Sequence, residues 1–161
     1  MTTLTEGKHA GGFLTWEVLS DYTRETITIA SGAGKLAPGT VLGQITASGK
    51  YAAHDPNATD GTETAVAVLW GKADASGGDA TAVAVVRGPA IVNRHEISWP
   101  EGATEAQITT ATTALAGLGI KRGVYVHINN SNPILCADTS ERAAVEAAGW
   151  EVAADGMEFE V

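Results

Sequence analysis

Residues 23–30 alternate in period two, with Ile27 and Ile29 on one face and Thr26 and Thr28 on the other, the signature of a half-buried strand. Ser31-Gly32-Ala33-Gly34 breaks the run. Pro38-Gly39 fits the central pair of a type II turn, because proline presets the first φ and glycine accepts a positive second one. Residues 40–46 then run out, Ser48-Gly49 turns the chain, and residues 50–53 return as a hairpin. In residues 64–70, Val66, Val68 and Trp70 share one face while Ala65, Ala67 and Leu69 share the other. Both faces are apolar, which predicts a central strand covered on each side. Residues 81–86 repeat the Ala/Val alternation as a partner strand, and residues 91–97 form a weaker extended stretch closed by Ser98-Trp99-Pro100.

Helical spacing begins after that corner. Thr104 and Gln107 stand at capping-box distance, and Ile108, Ala111, Leu115 and Leu118 recur at helical intervals before Gly117 and Gly119 end the run. Four threonines give this helix little intrinsic propensity, so tertiary packing must hold it. Residues 123–128 read as another strand. Asp138 with Glu141 repeats the cap spacing ahead of a short Ala-rich helix to Ala148, and residues 150–153 extend again. Residues 155–160 read as an acidic tail, or as a last strand through Met157, Phe159 and Val161.

The leading end is different. Residues 1–12 are polar and hold Gly7, Gly11 and Gly12, so they bury too little to offset their own ordering entropy and read as a mobile arm. Behind them, Leu14, Trp16 and Val18 share one strand face, with Phe13, Thr15, Glu17 and Leu19 on the other. This apolar segment is either an edge strand of the chain's own sheet or a strand that docks on another chain.

A length of 161 residues, 44% of them hydrophobic, suits one compact unit with appendages. Nineteen glycines beside 6% aromatics favour short strands and turns over a helical bundle. The net charge of -9, with the basic residues scattered, disfavours nucleic acid and anionic membranes as partners. No apolar run is long enough to span a bilayer and no signal-peptide pattern opens the chain, so neither export by a signal peptide nor a membrane span is expected, and the single cysteine fits synthesis in a reducing cytoplasm. Cys136 is the only cysteine, which rules out an intrachain disulfide, and it reads as a buried, inert thiol.

Candidate chemistry is sparse. His9, His54, His95 and His127 lie far apart without metal-ligand spacing. Asp55, Asn57, Asp60 and Glu63 invite a calcium reading, but Gly61 comes one residue late for an EF-hand loop and the twelfth-position glutamate is absent, so turn chemistry is the better account. Neither a nucleophile elbow nor a phosphate-cradling loop is found. No catalytic residue, metal or cofactor is expected. Trp16, Trp70, Trp99 and Trp150 remain as anchors for core and subunit contacts, with Trp70 assigned to the core.

From about Arg24 to Ile120 the chain resembles the lambda-type head decoration proteins of tailed bacteriophages. The likeness is carried by Arg24-Glu25-Thr26-Ile27-Thr28-Ile29, by Leu36-Ala37-Pro38-Gly39-Thr40-Val41-Leu42-Gly43, by Tyr51 with Asp55-Pro56-Asn57-Ala58-Thr59-Asp60-Gly61, by Ala65-Val66-Ala67-Val68-Leu69, and by Trp99-Pro100-Glu101 leading into a helix and Gly119-Ile120. The resemblance implies a mainly β fold with one or two short helices (α+β), a β-clip-like domain that assembles as a homotrimer. It further implies a virion protein on the outer surface of the expanded capsid, bound at three-fold positions to the major capsid protein, with a flexible N-terminal segment that orders there. The expected organisation is a capsid-binding arm over residues 1–22, a decoration domain over 23–120 and a C-terminal extension over 121–161 of unassigned role. Phe13, Leu14, Trp16 and Val18 are the candidate capsid contacts, and Trp99 and Pro100 the candidate subunit contacts. The competing readings are a non-viral β-rich module for glycans or adhesion, and an enzyme of the deoxyuridine triphosphatase type, whose aspartate motif and C-terminal phosphate loop are missing here.

Overall fold

The computed structural model describes residues 7–93, 95–118, 123–125, 133–147 and 150–152. They fall into two compact units, Met1–Ile120 and Lys121–Val161.

In the first unit, strands β1 (Leu14–Glu17), β2 (Arg24–Ile29), β3 (Lys35–Leu36), β4 (Val41–Gln44), β5 (Tyr51–Ala53), β6 (Ala67–Leu69), β7 (Ala73–Asp74), β8 (Ala80–Val85) and β9 (Ala90–Val92) follow in order, with the one-turn helix α1 (Ser20–Thr23) after β1 and helix α2 (Glu105–Ala116) at the end. Five strands close a barrel in the order β2-β5-β4-β6-β8. Its longest seam pairs β2 with β8 antiparallel, from Arg24 opposite Val85 to Ile29 opposite Ala80. Outside the barrel, β1 pairs with β9 and β3 with β7.

Alternation along the barrel strands divides the apolar residues between two cores. Ile27, Ile29, Leu42, Ala67, Leu69 and Ala84 gather in one with Ala73 and Ala75; so narrow a barrel is filled by small side chains, which is the use the Ala/Val sequences serve. The neighbouring residues Val41, Val68 and Val85 point the other way, into a second core with Phe13, Ala65, Ala90, Ile97, Ala111 and Leu115. Strand β6 therefore contributes to both and is buried throughout, as its two apolar faces predict.

Local expectations hold at several points. Gly39 has φ +81° and the Thr40 amide donates to the Ala37 carbonyl at 3.2 Å, closing the turn around Pro38-Gly39. Helix α2 carries the capping box in full: the Gln107 amide donates to Thr104 Oγ1 at 3.3 Å while the Thr104 amide donates to Gln107 Oε1 at 2.9 Å. Thr110, Thr112 and Thr113 donate their hydroxyls to the carbonyls of Ala106, Ile108 and Thr109 one turn earlier, a back-bonding that slightly weakens a helix and leaves packing to hold it. The weaker stretch over 91–97 is extended only at β9, since Asn93 Oδ1 accepts from the His95 amide and the chain turns there.

In the second unit, β10 (Gly123–Tyr125) lies parallel to β11 (Trp150–Val152), joined through a 3-10 turn (Pro133–Leu135) and helix α3 (Ser140–Ala147). Parallel neighbours need such a crossover. The cap of α3 is Thr139 rather than Asp138: its Oγ1 accepts from the Arg142 amide at 3.2 Å. Cys136 is exposed, not buried as its residue type suggests. It sits at the end of the 3-10 turn, where the chain runs over the surface. The acidic residues 155–160 lie outside the described residues.

Candidate functional site

The segment from Gly7 to Thr23, within the expected N-terminal arm, packs on the rest of the first unit, with β1 paired to β9. Lys8 Nζ donates to the Glu96 carbonyl at 2.7 Å and to Ser98 Oγ at 3.0 Å. The Gly11 amide donates to the Trp70 carbonyl at 2.9 Å, and Gly11 has φ +71° with the Trp70 ring where a Cβ would be. Phe13 is 2% exposed and meets Trp70 edge-on, ring centroids 6.2 Å apart. Phe13 thus packs in the core of this chain.

A bulge then re-aims the strand. Leu14 stands opposite Val92 but Trp16 opposite Ile91, so one extra residue interrupts the pairing and shifts the alternation. Leu14 stays half-buried against the core, Thr15 and Trp16 both face solvent, and Glu17 turns inward. The Glu17 carboxylate accepts from the guanidinium of Arg24 and from Thr23 Oγ1. Burial opposes its ionisation, yet those hydrogen bonds and the Arg24 charge together outweigh it and hold the carboxyl below its ordinary value. The Val18 amide donates to the Pro89 carbonyl at 3.1 Å, and the Thr23 amide to the Leu19 carbonyl at 2.9 Å.

What this rigid base presents is an apolar surface. Trp16 is 50% exposed, Val18 44%, Leu19 66% and Tyr22 52%. Of the four candidate contacts, then, Trp16 and Val18 are exposed, Leu14 is half-buried and Phe13 is enclosed. Leu19 and Tyr22 were not among the candidates; two large apolar residues flanking Ser20-Asp21 in a short polar turn were the available signal.

Elsewhere the polar groups are used locally. Asp60 Oδ1 accepts from the Thr62 hydroxyl at 2.6 Å and its amide at 3.0 Å, which lowers the Asp60 carboxyl. Asp55 accepts from the Asn57 amide, and Glu63 from the Gly61 amide. These carboxylates shape the turn predicted from the Asx-rich sequence. His54 is buried, its Nδ1 2.8 Å from the Thr62 carbonyl. It borders a shallow depression with Trp99, Pro100 and Gln107, where the half-buried Trp99 packs against the core containing Ala111 and Leu115. Among the described residues no helix is long and apolar enough to cross a membrane.

The family model for the bacteriophage lambda head decoration protein D matches residues 3–120. The chain belongs to that family. Membership gives this decoration protein a capsid-associated structural role, with a place on the surface of the phage head. The chain is also similar to proteins named coenzyme PQQ synthesis protein B. One from Methylorubrum extorquens is 53% identical over 53 residues, covering 33% of the chain and 18% of that relative. Another, from a second strain of the same species, is 39% identical over 126 residues, 76% of the chain and 41% of the relative. One from Gluconacetobacter diazotrophicus is 57% identical over 44 residues, 27% of the chain and 14% of the relative. The chain thus spans less than half the length of each.

Proposed function

We propose that this protein binds the outside of the expanded phage capsid as a homotrimer at three-fold positions, through the major capsid protein, and stabilises the shell with no enzymatic step. The observation that carries the reading is the exposed group Trp16, Val18, Leu19 and Tyr22, set on a base fixed by Glu17, Arg24 and Thr23. An apolar surface that costs little to order is suited to a docking contact. Three such surfaces on one trimer make the second and third attachments intramolecular, so avidity exceeds a single contact by about 10²–10⁴. Preference for the expanded over the precursor shell then stabilises the former by mass action. Trp99 and Pro100, at the corner before α2, are proposed to contribute to subunit contacts.

The names of the curated relatives raise a part in coenzyme PQQ synthesis as a second reading. The matched stretches are fragments of those proteins, and the family match over residues 3–120 favours the capsid role. The test is to mix purified protein with expanded and with precursor empty heads, pellet both, and image the decorated shells. Density at three-fold positions on expanded heads alone is the expected result; equal binding to both shells, or none, would defeat the proposal.

A further inference from the structure

We infer that Lys121–Val161 is a separately folding βαβ module that takes no part in holding the shell. The capsid function would then reside in the first unit alone. This rests on the capsid reading above and adds a division of labour to it.

Several independent observations converge. The chain divides between Ile120 and Lys121 by its own compactness, and the decoration-family match stops at residue 120. The first unit is complete in itself: its barrel closes, both of its cores are assembled from residues 13–118, and its last described residue, Leu118, returns its carbonyl to the Gly88 amide at 2.6 Å. The second unit has a different architecture. It pairs β10 with β11 in parallel across a helix, buries Val152, and caps α3 with its own Thr139, whose hydroxyl also reaches the Pro133 and Cys136 carbonyls at 2.8 and 2.9 Å. Parallel strands joined by a helix belong to α/β folds, not to an antiparallel barrel.

A unit so short has little core of its own, so it is expected to unfold at milder conditions than the barrel.

Two measurements test this. Hydrogen exchange on the full chain in graded urea should resolve two cooperative groups, with the amides of β10, α3 and β11 opening before those of β2, β4, β6 and β8. A single shared transition would overturn the inference. Removal of Lys121–Val161 should leave binding to expanded heads within about threefold of the full chain, whereas a folded truncated protein that binds more than tenfold more weakly would also overturn it. If neither protein binds shells, the capsid reading fails, and the exchange experiment alone still decides whether the module folds separately.

Discussion

The guanidinium of Arg24 lies over the indole of Trp70, 3.4 Å from the ring centroid. That contact joins the first barrel strand to the residue against which the N-terminal segment is pressed. Trp70 meets Phe13 edge-on and leaves room at Gly11 for a hydrogen atom only, so one indole fixes both the path of the leading segment and the base of the exposed surface beyond it.

Gly11→Ala should therefore be costly. The change places a side chain at φ +71° and drives it into the Trp70 ring, combining backbone strain with overpacking for a loss of about 2–4 kcal/mol. Gly77, with open space around it, is the control, and Gly77→Ala should change stability by less than about 0.5 kcal/mol. Urea unfolding of the two variants checks this; equal midpoints would remove Trp70 from its anchoring role.

The Glu17 carboxylate predicts a pH dependence with a definite sign. Its folded pKa lies below the ordinary 4.5, because hydrogen bonds from Arg24 and Thr23 prevail over burial. The stabilisation is therefore fully present above that value and fades as pH falls through the lowered folded pKa. Glu17→Gln should cost about 1–2 kcal/mol near neutrality, and its stability curve should meet that of the wild type in acid. Parallel curves from about pH 6 to about pH 3 would show that Glu17 carries no such linkage.

The barrel's strands and turns, though not its closure or strand order, were largely legible in the sequence because their signals are local and agree with one another. Ile27 and Ile29 alternate with threonines, β6 is apolar on both faces, Pro38-Gly39 admits few turns, and Thr104 with Gln107 announces a helix start. Residues 13–19 were not legible in the same way. Their alternation is apolar on both sides, so it could not tell which face turns inward, and the bulge between Leu14 and Trp16 cancels the period-two rule there. Phe13, named as a candidate contact, precedes the strand and enters the core. At α3, Asp138 and Thr139 are both good cap residues, and only the turn before them decides which hydrogen-bonds the helix. The exposure of Cys136 follows from that same turn and from nothing in its own residue type.

Helix α2 offers a test of how far tertiary packing holds a threonine-rich helix. Thr104→Ala removes the acceptor for the Gln107 amide and should cost about 1 kcal/mol. Because Ala111 and Leu115 on this helix close one of the two cores, the loss should appear in unfolding of the whole first unit, as a drop of roughly 2–8 °C in its Tm. Thr139→Ala, which removes the corresponding cap on α3, should leave the first unit's transition in place. A first-unit Tm that is unchanged by Thr104→Ala would mean the cap is immaterial there.

The exposed surface gives the most direct test of function. Trp16 and Leu19 are 50% and 66% exposed, so replacing both with serine should alter stability little. If they dock on the shell, the same substitutions remove two interface anchors, each worth about 2 kcal/mol when buried at an interface centre. Even after losses from non-additivity, binding to expanded heads should fall by well over tenfold. Val83, on the outer face of the β2–β8 seam and 38% exposed, controls for a general loss of apolar surface, and Val83→Ser should bind as the wild type does. Pelleting with empty heads, alongside sedimentation of the free proteins, separates failure to dock from failure to assemble. Trp16 and Leu19 variants that decorate heads normally would show that attachment uses another surface.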